Sequence, residues 1–134
     1  MNNKQNKIGD RTENIIAQRF SENNFWAYIL PKKIGGQPFD IIACRDNCAW
    51  MVDAKHLESD KASFSFDRIE PNQRSSMFFA KTFANIKNIG FMIIWERKPE
   101  NIYFLSYDNF CELEKQGAKS IKIELLKTFE EVIF

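Results

Sequence analysis

Apolar residues recur along this chain with two periods, and the switches between them mark out its elements. Ile16, Ala17 and Phe20 follow Glu13 at i+3, i+4 and i+7, the spacing of one helical face. Asp10, three residues before Glu13, reads as the start of that helix through a capping-box-like pair, and Asn23-Asn24 as its end. Residues 25–30 are aromatic and β-branched and stop at Pro31, which predicts a strand. Residues 32–36 form a basic, glycine-bearing loop. Two strands, 38–45 and 48–56, then flank Asp46-Asn47, an Asx pair that tolerates positive φ and suits a tight hairpin.

A loop over 57–66 leads to a helix opened by Pro71, a residue suited to a first helical turn. That helix carries Met77, Phe78, Phe79, Ala80, Phe83 and Ala84, with Gly90 as its exit; the three phenylalanines are core or interface positions, and core is the preferred reading. Residues 91–95 are continuously apolar, the mark of a central strand buried on both faces. A strand over 101–107 follows a turn at Lys98-Pro99, in a register that pairs Glu96 with Asn101. A short helix over 108–116 has Gly117 just past its end, and residues 120–126 alternate as a last strand. The order α-β-β-β-α-β-β-α-β, with a helix joining two strands at its centre, predicts an α/β fold. One parallel crossover lies within a mixed central sheet flanked by helices.

Composition narrows the function. The 134 residues make a single domain over 1–134, and 44% hydrophobic with 28% charged residues is globular. The net charge of +1 excludes a basic nucleic-acid coat or a polybasic membrane binder. It sums two unlike regions: residues 1–33 hold six bases against three acids, and residues 34–74 five bases against seven acids. No run nears the roughly 18 apolar residues of a membrane span, and the opening MNNKQNKIGD lacks the apolar centre of a signal peptide. Three unevenly spaced cysteines, Cys44, Cys48 and Cys111, argue against a disulfide framework. A reducing, cytoplasmic setting is the expectation. The single histidine, His56, offers little for a nucleophilic triad.

The chemistry lies in the acidic middle. Strand alternation places Met51, Asp53 and Lys55 on one face. If Asp46-Asn47 is the turn, Arg45 faces Cys48, Ile42 faces Met51 and Asp40 faces Asp53. Direct cross-strand partners have Cβ atoms about 5 Å apart, so two carboxylates so placed repel. A divalent cation converts that repulsion into a binding site, since Mg²⁺ takes one or two carboxylates with waters and phosphate oxygens. Lys55, about 7 Å along the same face, can reach a bound water or an attacked phosphate. The other acid-x-Lys triplet, Glu96-Arg97-Lys98, has no acid opposite. Glu13 admits two readings: it closes a capping box with Asp10, or its helical stripe aims it at the same centre.

These residues resemble the PD-(D/E)XK nucleases. The matching segments are Gly36-Gln37-Pro38-Phe39-Asp40-Ile41-Ile42-Ala43 and Trp50-Met51-Val52-Asp53-Ala54-Lys55, after a first helix bearing Glu13. Within that superfamily the chain is similar to the Holliday junction resolvases, of both the bacterial and phage RecU type and the archaeal type. Ser63-Phe64-Ser65-Phe66, Ile69, Gln73 and the strand with Tyr103-Phe104-Leu105 carry the RecU likeness. The RecU type has a long stalk insertion between strands; only residues 32–37 stand near that point here, which leaves a compact, archaeal-like mode open.

The resemblance implies Mg²⁺-dependent hydrolysis of phosphodiesters at four-way DNA junctions by a homodimer in the cytoplasm of a bacterium or of a phage's host, with Mn²⁺ as a substitute ion. Asp40, Asp53 and Glu13 would be metal ligands and Lys55 the residue that orients water or phosphate. Gln73, on a helical face with Met77, Ala80 and Ala84, is a further catalytic candidate or an ordinary first-turn polar residue. Lys7, Arg11, Lys32, Lys33, Arg68 and Arg74 are candidate DNA contacts, because phosphates require only positive charge. Another nuclease of this fold, or a DNA-binding module without chemistry, are the alternatives.

Overall fold

The structure, a computed structural model, describes residues 3–31, 39–96 and 101–127, with side chains from residue 8 onward. The elements are α1 (Asn3–Glu22), β1 (Trp26–Ile29), β2 (Ile41–Arg45), β3 (Cys48–Leu57), β4 (Ser63–Ser65), a 3-10 turn (Phe66–Arg68), α2 (Pro71–Thr82), β5 (Asn88–Trp95), β6 (Asn101–Ser106), α3 (Tyr107–Lys115), β7 (Ser120–Lys122) and α4 (Ile123–Leu126). Five strands form a mixed sheet in the order β1-β2-β3-β5-β6, and β4 pairs with β7 in a separate ribbon. Among the described strands only β3 and β5 pair in parallel, joined through α2, which is the expected crossover.

The β2–β3 hairpin has the predicted register. Arg45 faces Cys48, Ile42 faces Met51 and Ile41 faces Val52. Asp46 and Asn47 take φ of 53° and 64°, the left-handed pair that a two-residue turn requires and that Asx side chains tolerate. Alternation sorts the sheet into two cores. On one face Val52, Met92 and Ile94 pack with Ile16 and Phe20 of α1. On the other Phe91, Ile93 and Leu105 pack with Met77 of α2 and Phe110 of α3. Phe110 meets Phe66 and Phe91 edge-to-face, with centroids 4.9 and 5.6 Å apart.

Several boundaries differ from the sequence reading. α1 begins at Asn3, so Asp10 is an exposed interior position and not a cap. Thr12 Oγ1 satisfies itself on the carbonyl of Ile8, 2.8 Å away within the helix. Gly90 does not end α2, which stops at Thr82; it sits inside β5. The β5–β6 register is shifted by one, with Trp95 facing Asn101, and Glu96 extends beside β3 through its N–H to the Leu57 carbonyl at 2.9 Å. The 57–66 loop contains β4, and 120–126 divides into β7 and α4 outside the main sheet. Phe78, Phe79 and Phe83 are 53, 62 and 68% exposed and not core, because α2 turns only Met77 and Ala80 inward. All three cysteines are free thiols, and among the described residues no helix is long and apolar enough to cross a membrane.

Candidate active site

The hairpin that sets the register also assembles the acidic pair. Asp40 stands one residue before β2 and its N–H donates to the Val52 carbonyl at 3.1 Å, which continues the ladder. Its Oδ2 accepts the Ala54 N–H at 2.8 Å. The Asp40 carboxylate therefore lies against β3 beside Asp53. Asp53 is 2% exposed, and its Oδ2 is fully buried without a hydrogen bond of good geometry. The nearest cation is Lys55 Nζ, 3.1 Å from that oxygen as an ion pair.

Burial pushes the Asp53 carboxyl well above the usual carboxylate range, Asp40 pushes the same way by hydrogen bonding and charge, and Lys55 opposes both. Two acids facing each other in an apolar setting, one with an orphaned oxygen, form a donor set short of a cation. Such a pair fits a hard divalent ion that completes its shell with waters and phosphate oxygens. Asp40 and Asp53 are the residues that would hold it.

Lys55 is fixed from the opposite side. Its Nζ donates to the Arg68 carbonyl at 3.1 Å and to Gln73 Oε1 at 3.2 Å. Gln73 is held in turn, because the same oxygen accepts the Glu70 N–H at 2.9 Å, half of a capping box that opens α2. The two readings of Gln73 thus describe one side chain that caps the helix and holds the lysine.

The structure brings Asp40, Asp53, Lys55 and Gln73 together. Glu13 is 5% exposed, far from a helix start, so it closes no capping box. It lies on α1, which covers the sheet face opposite Asp53. Among the described residues no three His, Cys, Asp or Glu side chains gather into a ligand set.

The expected DNA contacts divide. The side chain of Lys7, together with Lys32 and Lys33, lies outside the described residues. Arg11 is exposed on α1. Arg74 is engaged with both carboxylate oxygens of Glu114 at 2.6 and 2.9 Å and lies over the Phe110 ring, which ties α2 to α3. Arg68 opens onto a groove between α1 and β3 that also contains Lys61, Ser63 and Ser65. Sequence reading missed Lys61, because the three-residue β4 beside it has no recognisable period.

No curated protein matches the chain. Among solved structures it is similar to Hjc, a Holliday junction resolvase from the archaeal hyperthermophile Archaeoglobus fulgidus. The TM-score is 0.56 at 15% identity, over 87% of this chain and 89% of that one. That likeness concerns the fold: the central mixed sheet flanked by helices is the resolvase nuclease fold. In sequence, the RecU family, Recombination protein U, matches residues 40–133, from Asp40 through the acid-x-Lys strand and α2 to the C-terminal region. The chain belongs to the RecU family of Holliday junction resolvases and is on that ground a nuclease.

Proposed function

We propose that this chain is a Mg²⁺-dependent endonuclease that makes paired, symmetric cuts in four-way DNA junctions as a homodimer in the cytoplasm. Resolvases of the family generally use divalent metals. The observation that carries the proposal is the buried Asp53 beside the half-buried Asp40 of the neighbouring strand, with Asp53 Oδ2 3.1 Å from Lys55. When bound, the ion lowers the pKa of a coordinated water and offsets charge on the scissile phosphate. The chain's own residues do the rest. Asp40 is oriented by the Ala54 N–H, so it meets its partner without rearrangement. Lys55 keeps two contacts, to Arg68 and Gln73, and turns its remaining N–H from Asp53 toward the nucleophile or a phosphate oxygen. The apolar wall behind Asp53 limits water access and strengthens each of these interactions.

Glu13 is proposed as an outer participant only, and Arg68 and Arg11 as phosphate contacts. The test is cleavage of a synthetic four-way junction beside linear duplex, with and without Mg²⁺. Paired symmetric nicks in the junction, lost by at least about a hundredfold in Asp53→Asn while DNA binding persists, are expected. Equal cutting by Asp53→Asn would sink the assignment.

A further inference from the structure

We propose that the groove between α1 and the far end of β3 is the track for the sugar–phosphate backbone of a bound DNA strand, and that Gly9 is where the strand presses closest to α1. The proposal rests on the nuclease reading above and adds where the strand runs. β3 outruns its neighbour: pairing with β2 stops at Ile41 facing Val52, while β3 continues to Leu57 against β5. Among the described residues nothing pairs with that edge of β3, which is walled by α1 on one side and by β4 and the 3-10 turn on the other. It holds a groove of about 680 Å³ lined by Gly9, Thr12, Lys61, Ser63, Ser65 and Arg68.

The groove reaches the proposed centre directly, because Lys55 also lines it and sits 3.1 Å from Asp53. Lys55, Lys61 and Arg68 face it against Glu58, and His56 is matched to Glu96 at 3.0 Å. Cations interspersed with serine hydroxyls, here Ser63 and Ser65, are a usual lining for phosphate contacts.

Gly9 is the independent observation. It is the seventh residue of a 20-residue helix, where glycine is the poorest former after proline. Its φ is not positive, so the backbone does not require glycine. Among the described residues a Cβ built there meets nothing within 4 Å, so their packing does not require it either. The position opens onto the groove. Close approach of a ligand's backbone is the remaining physical use of a missing side chain.

The test measures binding of a fluorescent four-way junction in EDTA, where nothing is cut. Gly9→Ala is expected to melt at or above the wild-type temperature yet bind several-fold more weakly. Gly9→Leu should bind at least about tenfold more weakly, and Lys61→Ala should lower the log–log salt slope by about 1. Wild-type affinity in Gly9→Leu, or in Gly9→Ala and Lys61→Ala together if the leucine variant does not fold, overturns the groove. The two readings fail separately. A protein that binds through Gly9 but cuts no DNA with any divalent ion keeps the groove and loses the nuclease assignment. One that cuts junctions irrespective of these substitutions does the reverse.

Discussion

Lys55 Nζ donates at 3.2 Å to Gln73 Oε1, the same oxygen that accepts the Glu70 N–H at 2.9 Å. One atom thus caps α2 and positions the lysine beside Asp53. Gln73→Ala removes both functions. Loss of the cap is expected to cost about 1 kcal/mol in urea unfolding, and release of Lys55 to lower kcat about 10- to 100-fold with KM little changed. Gln73→Glu retains an acceptor at both positions and should keep the stability and most of the rate. If Gln73→Ala loses stability alone, the contact with Lys55 is incidental to chemistry.

The buried Asp53 makes a signed prediction about pH. Its folded pKa is raised, first by burial and then by Asp40, so the folded chain holds this proton to higher pH than the unfolded chain does. Stability from this group therefore falls as pH rises from the ordinary carboxylate pKa, about 3.9, through the raised folded value. Metal-free Asp53→Asn should be more stable than wild type at pH 8, and the difference should close as pH falls toward about 4. Mg²⁺ should raise the melting temperature of wild type most at pH 8 and of the variant not at all, following the linkage of ligand to the folded state. Differential scanning calorimetry on both proteins across that range checks each part. A wild-type advantage at pH 8 without metal would contradict the burial penalty.

Gly90 stands in β5 where the backbone of β6 comes too close for any side chain. A Cβ there would lie 2.2 Å from the Leu105 carbonyl oxygen and 2.8 Å from the Ser106 Cα. Both neighbours are main chain of β6, held to β5 by the strand pairing, so they cannot swing aside as a side chain would. Gly90→Ala is expected to destabilise by about 3 kcal/mol or more, at the upper end of overpacking effects. Urea unfolding with an unchanged m-value would locate the effect in the native sheet. A loss below about 1 kcal/mol would mean that β5 and β6 separate easily.

The same glycine shows why part of the fold was legible and part was not. Asp46-Asn47 fixes a two-residue turn, and a two-residue turn fixes every pairing in β2–β3, so Asp40 opposite Asp53 followed from local chemistry alone. The β5–β6 connection includes Lys98-Pro99, which does not determine a register, and the pairing there came out one residue away. Gly90 read as a helix exit because glycine ends helices more often than it relieves contact between strands. Asp10 read as a cap because the polar stretch before it has no apolar stripe, yet α1 extends through it. Gln73 could be placed at a helix start from sequence, but its contact with Lys55 spans 18 positions and depends on how α2 docks on β3.

Phe78, Phe79 and Phe83 form a cluster on the exposed side of α2, with Phe83 centroids 6.4 Å from Phe78 and 5.1 Å from Phe79. Beside them a groove of about 450 Å³ is lined by Phe39, Met51, Phe79, Ala80 and Ile86. Trp26 and Tyr28 stack on the strand face that Met51 shares through Ile42. This concentration of exposed aromatics is the surface we assign to the proposed homodimer, since large exposed apolar patches on soluble chains mark contacts. Each buried aromatic anchor at such an interface is worth on the order of 2 kcal/mol. The double variant Phe79→Ser/Phe83→Ser should therefore weaken dimerisation about 10²- to 10³-fold in sedimentation equilibrium. The folded monomer should change little, because neither ring is buried in it. Junction cleavage by the variant should shift from paired cuts to single nicks. A wild-type chain that sediments as a monomer at all concentrations, or a double variant that dimerises as wild type, would remove this surface from the assembly.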